Sequence, residues 1–381
     1  MNRSYRIIPV YTGDVSGVAS ALFEMGGMVV IHDPSGCNST YNTHDETRWY
    51  DTDSLIFISG LSNTEAIMGD DEKLIREIEE AAEELHPKFI ALCSSPIPYM
   101  NGTDFPAIAR ILTGDTGIPA FYVPANGMHD YVFGAGKAFL TAAKTLLDKR
   151  EGLKKKGTIN LLGLTPLEFA AEGSVENIRK WAEESGYQVQ SCWAMGDTLE
   201  QMQTAMDASV NLVVSSVGFP LAKYMEETYG IPWVAGCPVG AFSDFLLKTL
   251  KKTEEDGVSR AAYLSRGACS CGQSVYLVGE PVTMGSLAAA LNREFGMTCR
   301  VICPVEADEK LTGILDVRTT GEEDLEEFLK QAVTIIADPL YRPICPDKAK
   351  FMELPHQAFS GRCFRRRMQT LDAFVASLRK Q

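Results

Sequence analysis

At 381 residues the chain has room for two or three compact α/β domains. Hydrophobic residues make up 45% and charged residues 23%, an ordinary globular balance without a disorder signature. The formal net charge of −14 argues against a nucleic-acid ligand, which needs clustered Lys and Arg to displace counterions, and leaves room for a protein partner with a basic face. No run approaches the ~20 apolar residues of a membrane span, and the opening MNRSYRIIPVYTGD has no apolar signal region. A cytoplasmic protein without a membrane partner is expected. Its ten cysteines then read as core thiols, metal ligands or redox groups rather than disulfides.

Short apolar runs alternate with longer amphipathic stretches along the chain, the pattern of parallel sheets covered by helices. A helix over 15–25 comes first, followed by strands at 28–32, 55–59, 88–94 and 120–124, with helices at 71–85 and 134–147. Strands at 158–162, 188–193 and 211–215 follow, interleaved with helices at 174–185, 198–205 and 221–229. The last set is strands at 274–278, 298–303 and 334–337, a helix at 281–295 and a closing helix at 365–378. Most strands are nearly continuous apolar runs, as expected for sheets buried on both faces. Two polar seams, DKREGLKKKG (148–157) and the stretch 251–272 ending in RGACSCG, divide the chain into units of 1–153, 154–265 and 266–381. The fold class is α/β, with three Rossmann-like domains whose parallel sheets are flanked by helices.

Ligands of open α/β sheets sit beyond the carboxyl ends of strands. Two cysteines fall there in the first unit: Cys37 in DPSGCNST after the strand MVVIH, and Cys93 at the end of KFIALC before SSPIPYMNG. Gly, Ser and Pro around both permit close backbone approach to a cofactor. Thiolates are the usual protein ligands of iron–sulfur clusters, and the alternative is an unligated thiol pair.

Five blocks in order resemble one family. IHDPSGCNST (31–40) is similar to the HGPxGC loop of nitrogenase component 1, and SGLSNTEAIMGDDEKL (59–74) to that family's acidic, Gly-turn, Lys-Leu stretch. ALCSSPIPYMNGTDFPAIA (91–109) resembles its strand, S-T-C-P and G-x-D segment, and VNLVVSS…KYMEETYGIPW (210–233) its run into EEKYGIPW. LPHQAFSGR (354–362) resembles a histidine loop ending in Ser-Gly. The resemblance implies two paired subunits, identical or homologous, with an iron–sulfur cluster at their interface. It implies electrons from an ATP-driven iron protein, and a substrate or second cofactor deeper among the three domains. Cys37 and Cys93 match the family's second and third cluster cysteines.

The departures refine this. No cysteine precedes position 37, where the family has its first cluster ligand; Tyr11, Thr12, Gly13, Asp14 and Ser16 stand in that region. A homodimer with a [4Fe–4S] cluster on its twofold axis turns two cysteines per chain into four. Asp14 is either a carboxylate ligand or a helix-capping residue. Where the catalytic nitrogenase subunit anchors its metal cluster by a cysteine, this chain has Ser215 or Ser216. His356 lies near the family's histidine ligand. It is placed to bind a metal or tetrapyrrole, to donate a proton to substrate, or simply to bond its own loop.

Of the remaining candidates, Cys269 and Cys271 form a C-x-C that joins Cys237, Cys345 and Cys363 as loop cysteines, without zinc-knuckle spacing. Cys192, Cys299 and Cys303 belong to strand cores. GLTP (163–166) is a turn or an anion cradle. His32, Asp33 and His44 flank the cluster loop, either tuning its potential or bonded locally. Arg362, Arg365, Arg366 and Arg367 are a basic island that grips carboxylates or opens a solvated helix. No Walker A motif is present, so ATP hydrolysis falls to a partner. The expected function is a reductase acting on an unsaturated substrate, tetrapyrroles among them, with a scaffold for metallocofactor assembly as the alternative.

Overall fold

The computed structural model describes residues 5–8, 12–34, 46–49, 51–148, 150–267 and 274–380. Cys37, His44, Cys269 and Cys271 lie outside the described residues.

Three sheets follow one another along the chain, and their strand pairings are all parallel among the described residues. The first contains β1 (Met28–His32), β2 (Leu55–Ile58), β3 (Ile90–Ser94) and β4 (Ala120–Val123), in the order β2-β1-β3-β4. Every residue of β1 and β3 is buried, which is why both read as unbroken apolar runs. The second contains β5 (Lys155–Leu162), β6 (Gln188–Cys192), β7 (Ala208–Val213), β8 (Trp233–Ala235) and β9 (Arg260–Ala261), ordered β6-β5-β7-β8-β9. The third contains β10 (Ser274–Val278), β11 (Thr298–Cys303), β12 (Val317–Arg318), β13 (Thr334–Ala337) and β14 (Lys350–Glu353), ordered β12-β11-β10-β13-β14.

The covering helices follow from local sequence. Asp71–Leu85 buries Leu74, Ile78 and Ala82, spaced to share one face; Asp70 accepts from the Lys73 N–H at its start, and His86 ends it at φ 49. Helices Asp14–Leu22 and Tyr131–Leu146 cross almost backbone to backbone. A Cβ at Gly134 would lie 1.9 Å from the Asp14 carbonyl oxygen, and one at Gly17 would lie 2.3 Å from that of Tyr131. The amino-terminal stretch of chain is clasped by the third unit, where the Glu322 carboxylate accepts from the N–H groups of Arg6, Ile7 and Ile8 at 2.8–2.9 Å.

Two expected helices are shorter than the sequence pattern suggests. The stretch 198–205 yields only Leu199–Met202, followed by a 3₁₀ turn at Ala205–Asp207. In place of a helix over 365–378 there is a 3₁₀ segment, Gly361–Arg367, and then the helix Leu371–Leu378, which Thr370 starts by accepting from the Ala373 N–H. The short strands β8, β9, β12 and β14 carry too few residues to show a period.

Each sheet reverses its strand order at one place: between β1 and β3, between β5 and β7, and between β10 and β13. The chain leaves the two strands there in opposite directions, which opens a crevice beyond their carboxyl ends.

Candidate functional site

The crevice of the first sheet holds Cys93. It is the fourth residue of β3, pairs with Ile31 of β1 and is fully buried. Burial pushes its thiol far up, and the carboxylates of Asp14 and Asp33 push it further. β1 continues through His32 and Asp33 toward the segment with Cys37. His32 Nδ1 lies 2.7 Å from Ser59 Oγ, and burial lowers its pKa to about 4, which leaves the ring neutral at physiological pH. The Asp33 N–H also donates to Ser59 Oγ. A thiophilic metal fits Cys93 in residue type and in place, provided that it displaces a tightly held proton.

Asp14 begins the helix Asp14–Leu22 and has no solvent exposure. Its carboxylate accepts from Val15 N at 2.7 Å, Asn126 N at 3.0 Å and Gly127 N at 2.8 Å, tying the helix to the loop after β4. Burial raises its pKa against those bonds. Both oxygens are therefore engaged within the chain.

The crevices of the second and third sheets meet. Beyond β7, Ser216 donates its N–H at 2.9 Å and its hydroxyl to Glu280, which follows β10. Glu280 also accepts from Val282 and Thr283, so it starts the helix Pro281–Phe295. Between the two sheets opens a cleft of about 990 Å³, its solvent-open mouth included.

His356 stands in its wall. Nε2 lies 3.0 Å from Glu168 Oε2, and the other oxygen of Glu168 accepts from the Tyr131 hydroxyl of the first unit. The His356 N–H donates at 2.7 Å to Asp338, which follows β13 and also accepts from Ser360. Burial works to lower the pKa of His356, but the carboxylates of Glu168, Asp338 and Glu280 together outweigh it and the net shift is upward. Its Nδ1 is buried and has no hydrogen-bond partner among the described residues. The site thus offers a proton-bearing imidazole fixed by carboxylates from two sheets.

Ser215, by contrast, donates to the Gly163 carbonyl at 2.6 Å and is not part of the cleft lining. Gly163, at φ 95, has room for no side chain there, because a Cβ would sit 2.6 Å from Ser215 Oγ. The GLTP segment is thereby a tight structural turn. Cys192, Cys299 and Cys303 are buried in β6 and β11, as expected of core thiols. Cys237 lines the cleft as a buried thiol whose pKa burial drives well up; Cys345 donates to the Tyr341 carbonyl, and Cys363 is exposed. No cluster of three His, Cys, Asp or Glu suited to a metal ion exists among the described residues. Arg362, Arg365 and Arg366 are exposed, and Arg367 pairs with Glu353; none of the four lines the cleft.

Glu168, Glu280 and Asp338 escaped the sequence reading. Each lies just beyond a strand, in LLGLTPLE, LVGE and IIAD, and that placement was the available signal. Without the strand order, nothing marked those strands as the ones that flank a crevice.

Comparison with known proteins places the chain. Residues 14–327 match the family model of nitrogenase component 1 type oxidoreductases. The nitrogenase molybdenum–iron protein alpha chain of Clostridium pasteurianum is 28% identical over 200 residues, which cover 51% of this chain and 36% of that protein. The nitrogenase iron–molybdenum cofactor biosynthesis protein NifE of Klebsiella pneumoniae is 25% identical over 234 residues, 57% of this chain and 50% of that one. A subunit of the light-independent protochlorophyllide reductase of Zygnema circumcarinatum is 24% identical over 274 residues, 62% and 52% respectively. The chain thus spans about half the length, or less, of these curated relatives. A solved structure of nitrogenase Cp1 at pH 5 superposes with a TM-score of 0.69 at 17% identity, over 99% of this chain and 89% of that one, so the fold is shared. No described helix is long and apolar enough to cross a membrane.

Proposed function

The chain belongs to the nitrogenase component 1 type oxidoreductases, and from that premise we propose that it is the substrate-reducing subunit of a two-component reductase. In this reading two copies of the chain pair, and Cys37 and Cys93 of each hold a [4Fe–4S] cluster on the twofold axis. An iron protein-like ATPase supplies low-potential electrons one at a time. An unsaturated substrate receives them in the cleft between the second and third sheets, where His356 gives up a proton and Glu168 holds the imidazole in place. The observation that carries the reading is the division of labour among the crevices: Cys93 occupies that of the first sheet, while His356, Glu168, Glu280 and Asp338 surround those of the other two.

The surface beside Cys93 supports a protein partner. Helices Asn63–Met68 and Pro96–Asn101 follow β2 and β3, and Asn101 ties them by donating to the Ala66 carbonyl at 2.8 Å. They expose Ile67, Met68, Tyr99 and Met100, each more than half open to solvent. Large apolar side chains grouped in this way mark an interaction face. We assign it to the iron protein because it adjoins the strand end with Cys93.

The test is anaerobic purification with iron, acid-labile sulfide and EPR measurements on the wild type and on Cys37→Ser and Cys93→Ser. About four irons per dimer, lost in both variants, is the expected result. Protein that stays colourless after reconstitution, or variants with full iron, would overturn it. The likeness to NifE, a cofactor biosynthesis protein by its name, favours one second reading, a scaffold on which a metallocofactor is assembled. A scaffold yields a transferred cofactor and no reduced small product when turned over with an iron protein.

A further inference from the structure

The walls of the cleft are unevenly charged. Glu168, Glu280, Asp338 and Asp372 line it, His356 is its one basic side chain, and no lysine or arginine appears there among the described residues. The Glu168 side chain has no exposure, and Glu280 and Asp338 are each 1% exposed. A single imidazolium balances one of these carboxylates at most. Negative charge left over in a low-dielectric cavity is costly, and the protein meets that cost with protons. Burial, reinforced by Glu168, pushes Glu280 up to about 7, and burial also raises Asp338.

Two further features of the wall point the same way. Phe169, Trp181 and Phe359 line the cavity, and aromatic faces attract cations. The Thr283 hydroxyl, in the lining and 3% exposed, adjoins Glu280 but makes no regular hydrogen bond among the described residues. A buried hydroxyl left over in a cavity wall is a place for a ligand group to bond.

We propose that the cleft accepts a small organic cation, an amidinium- or ammonium-bearing molecule, in preference to a carboxylate. The inference rests on the cleft being the substrate site and narrows its substrate class. A polycarboxylate such as a tetrapyrrole acid, or an anionic metallocofactor, would add negative charge to a cavity that already has an excess. A cation replaces the protons that the cavity now holds, and its N–H groups meet carboxylate and hydroxyl oxygens.

Three molecules of one shape and different charge separate these cases: benzamidine (cationic), benzamide (neutral) and benzoate (anionic). Calorimetric titration of the full chain at low ionic strength should give benzamidine about tenfold tighter binding than benzamide, with no binding of benzoate. Glu168→Gln and Asp372→Asn should erase the preference. Thr283→Val, which removes a hydroxyl without a regular partner, should weaken benzamidine while leaving Tm unchanged. Benzoate binding as tight as benzamidine, or benzamidine affinity untouched in the Glu168 and Asp372 variants, would overturn the proposal. The titration requires no cluster. A colourless protein that still prefers benzamidine defeats the reductase reading alone, and an iron-loaded protein that prefers benzoate defeats this inference alone.

Discussion

Glu280 has a cost that pH can reveal. Burial, and then Glu168, raises its carboxyl from the ordinary 4.5 to about 7. The folded chain therefore binds a proton that the unfolded chain has released across that interval. Stability from this group is fully present below pH 4.5 and is lost as pH rises through about 7, by about 3 kcal/mol at most. Urea midpoints at pH 5 and pH 8 should show Glu280→Gln gaining on the wild type at the higher pH; a constant difference between the two proteins would contradict this. The groups that face Glu280 are Glu168 and His356, with the buried Tyr131, Cys237, Tyr263 and Cys303 farther round it. His356 is the second residue whose role is chemical. His356→Gln should keep the iron content and reduce product formation about a hundredfold or more, the usual loss when a positioned proton donor is removed. Unchanged turnover would reduce His356 to a loop anchor.

At the scale of elements, the crossing of Asp14–Leu22 with Tyr131–Leu146 tolerates no side chain at Gly134. Gly134→Ala forces the helices apart and should cost about 1–3 kcal/mol, read as a lowered urea midpoint. On the exposed helices Asn63–Met68 and Pro96–Asn101 the opposite holds. Ile67→Lys with Met100→Lys should change stability by less than about 0.5 kcal/mol per site and abolish turnover driven by an iron protein. Retained turnover would locate that partner elsewhere. The elements themselves were largely legible. β1 and β3 appear as apolar runs because both their faces are buried, and the helix Asp71–Leu85 appears in its i, i+4, i+8 spacing. The pattern failed where local chemistry took over from periodicity. Thr370 opens a new helix inside what reads as one continuous stretch, and four arginines run along a 3₁₀ segment instead of an α-helix.

The whole molecule shows what sequence withholds. Cys37 and Cys93 were legible as candidates because strand ends and turn residues are local features. The acidic ring of the cleft was not, since Glu168, Glu280 and Asp338 come together only through the strand order of two sheets. The units are also joined across long sequence distances, as where Glu322 clasps the N–H groups of Arg6, Ile7 and Ile8.

The helix Leu371–Leu378 is another such join. Phe374 and Val375 seat it in the core, Arg379 grips Glu294 at 2.7 Å, and Thr370, Leu371 and Asp372 face the cleft. Its first turn forms part of the cavity wall, so it is no mere tail. An affinity tag fused after it, or a trimming of it for crystallisation, would act as a change of access to the cavity, and binding data from such material would describe a different vessel.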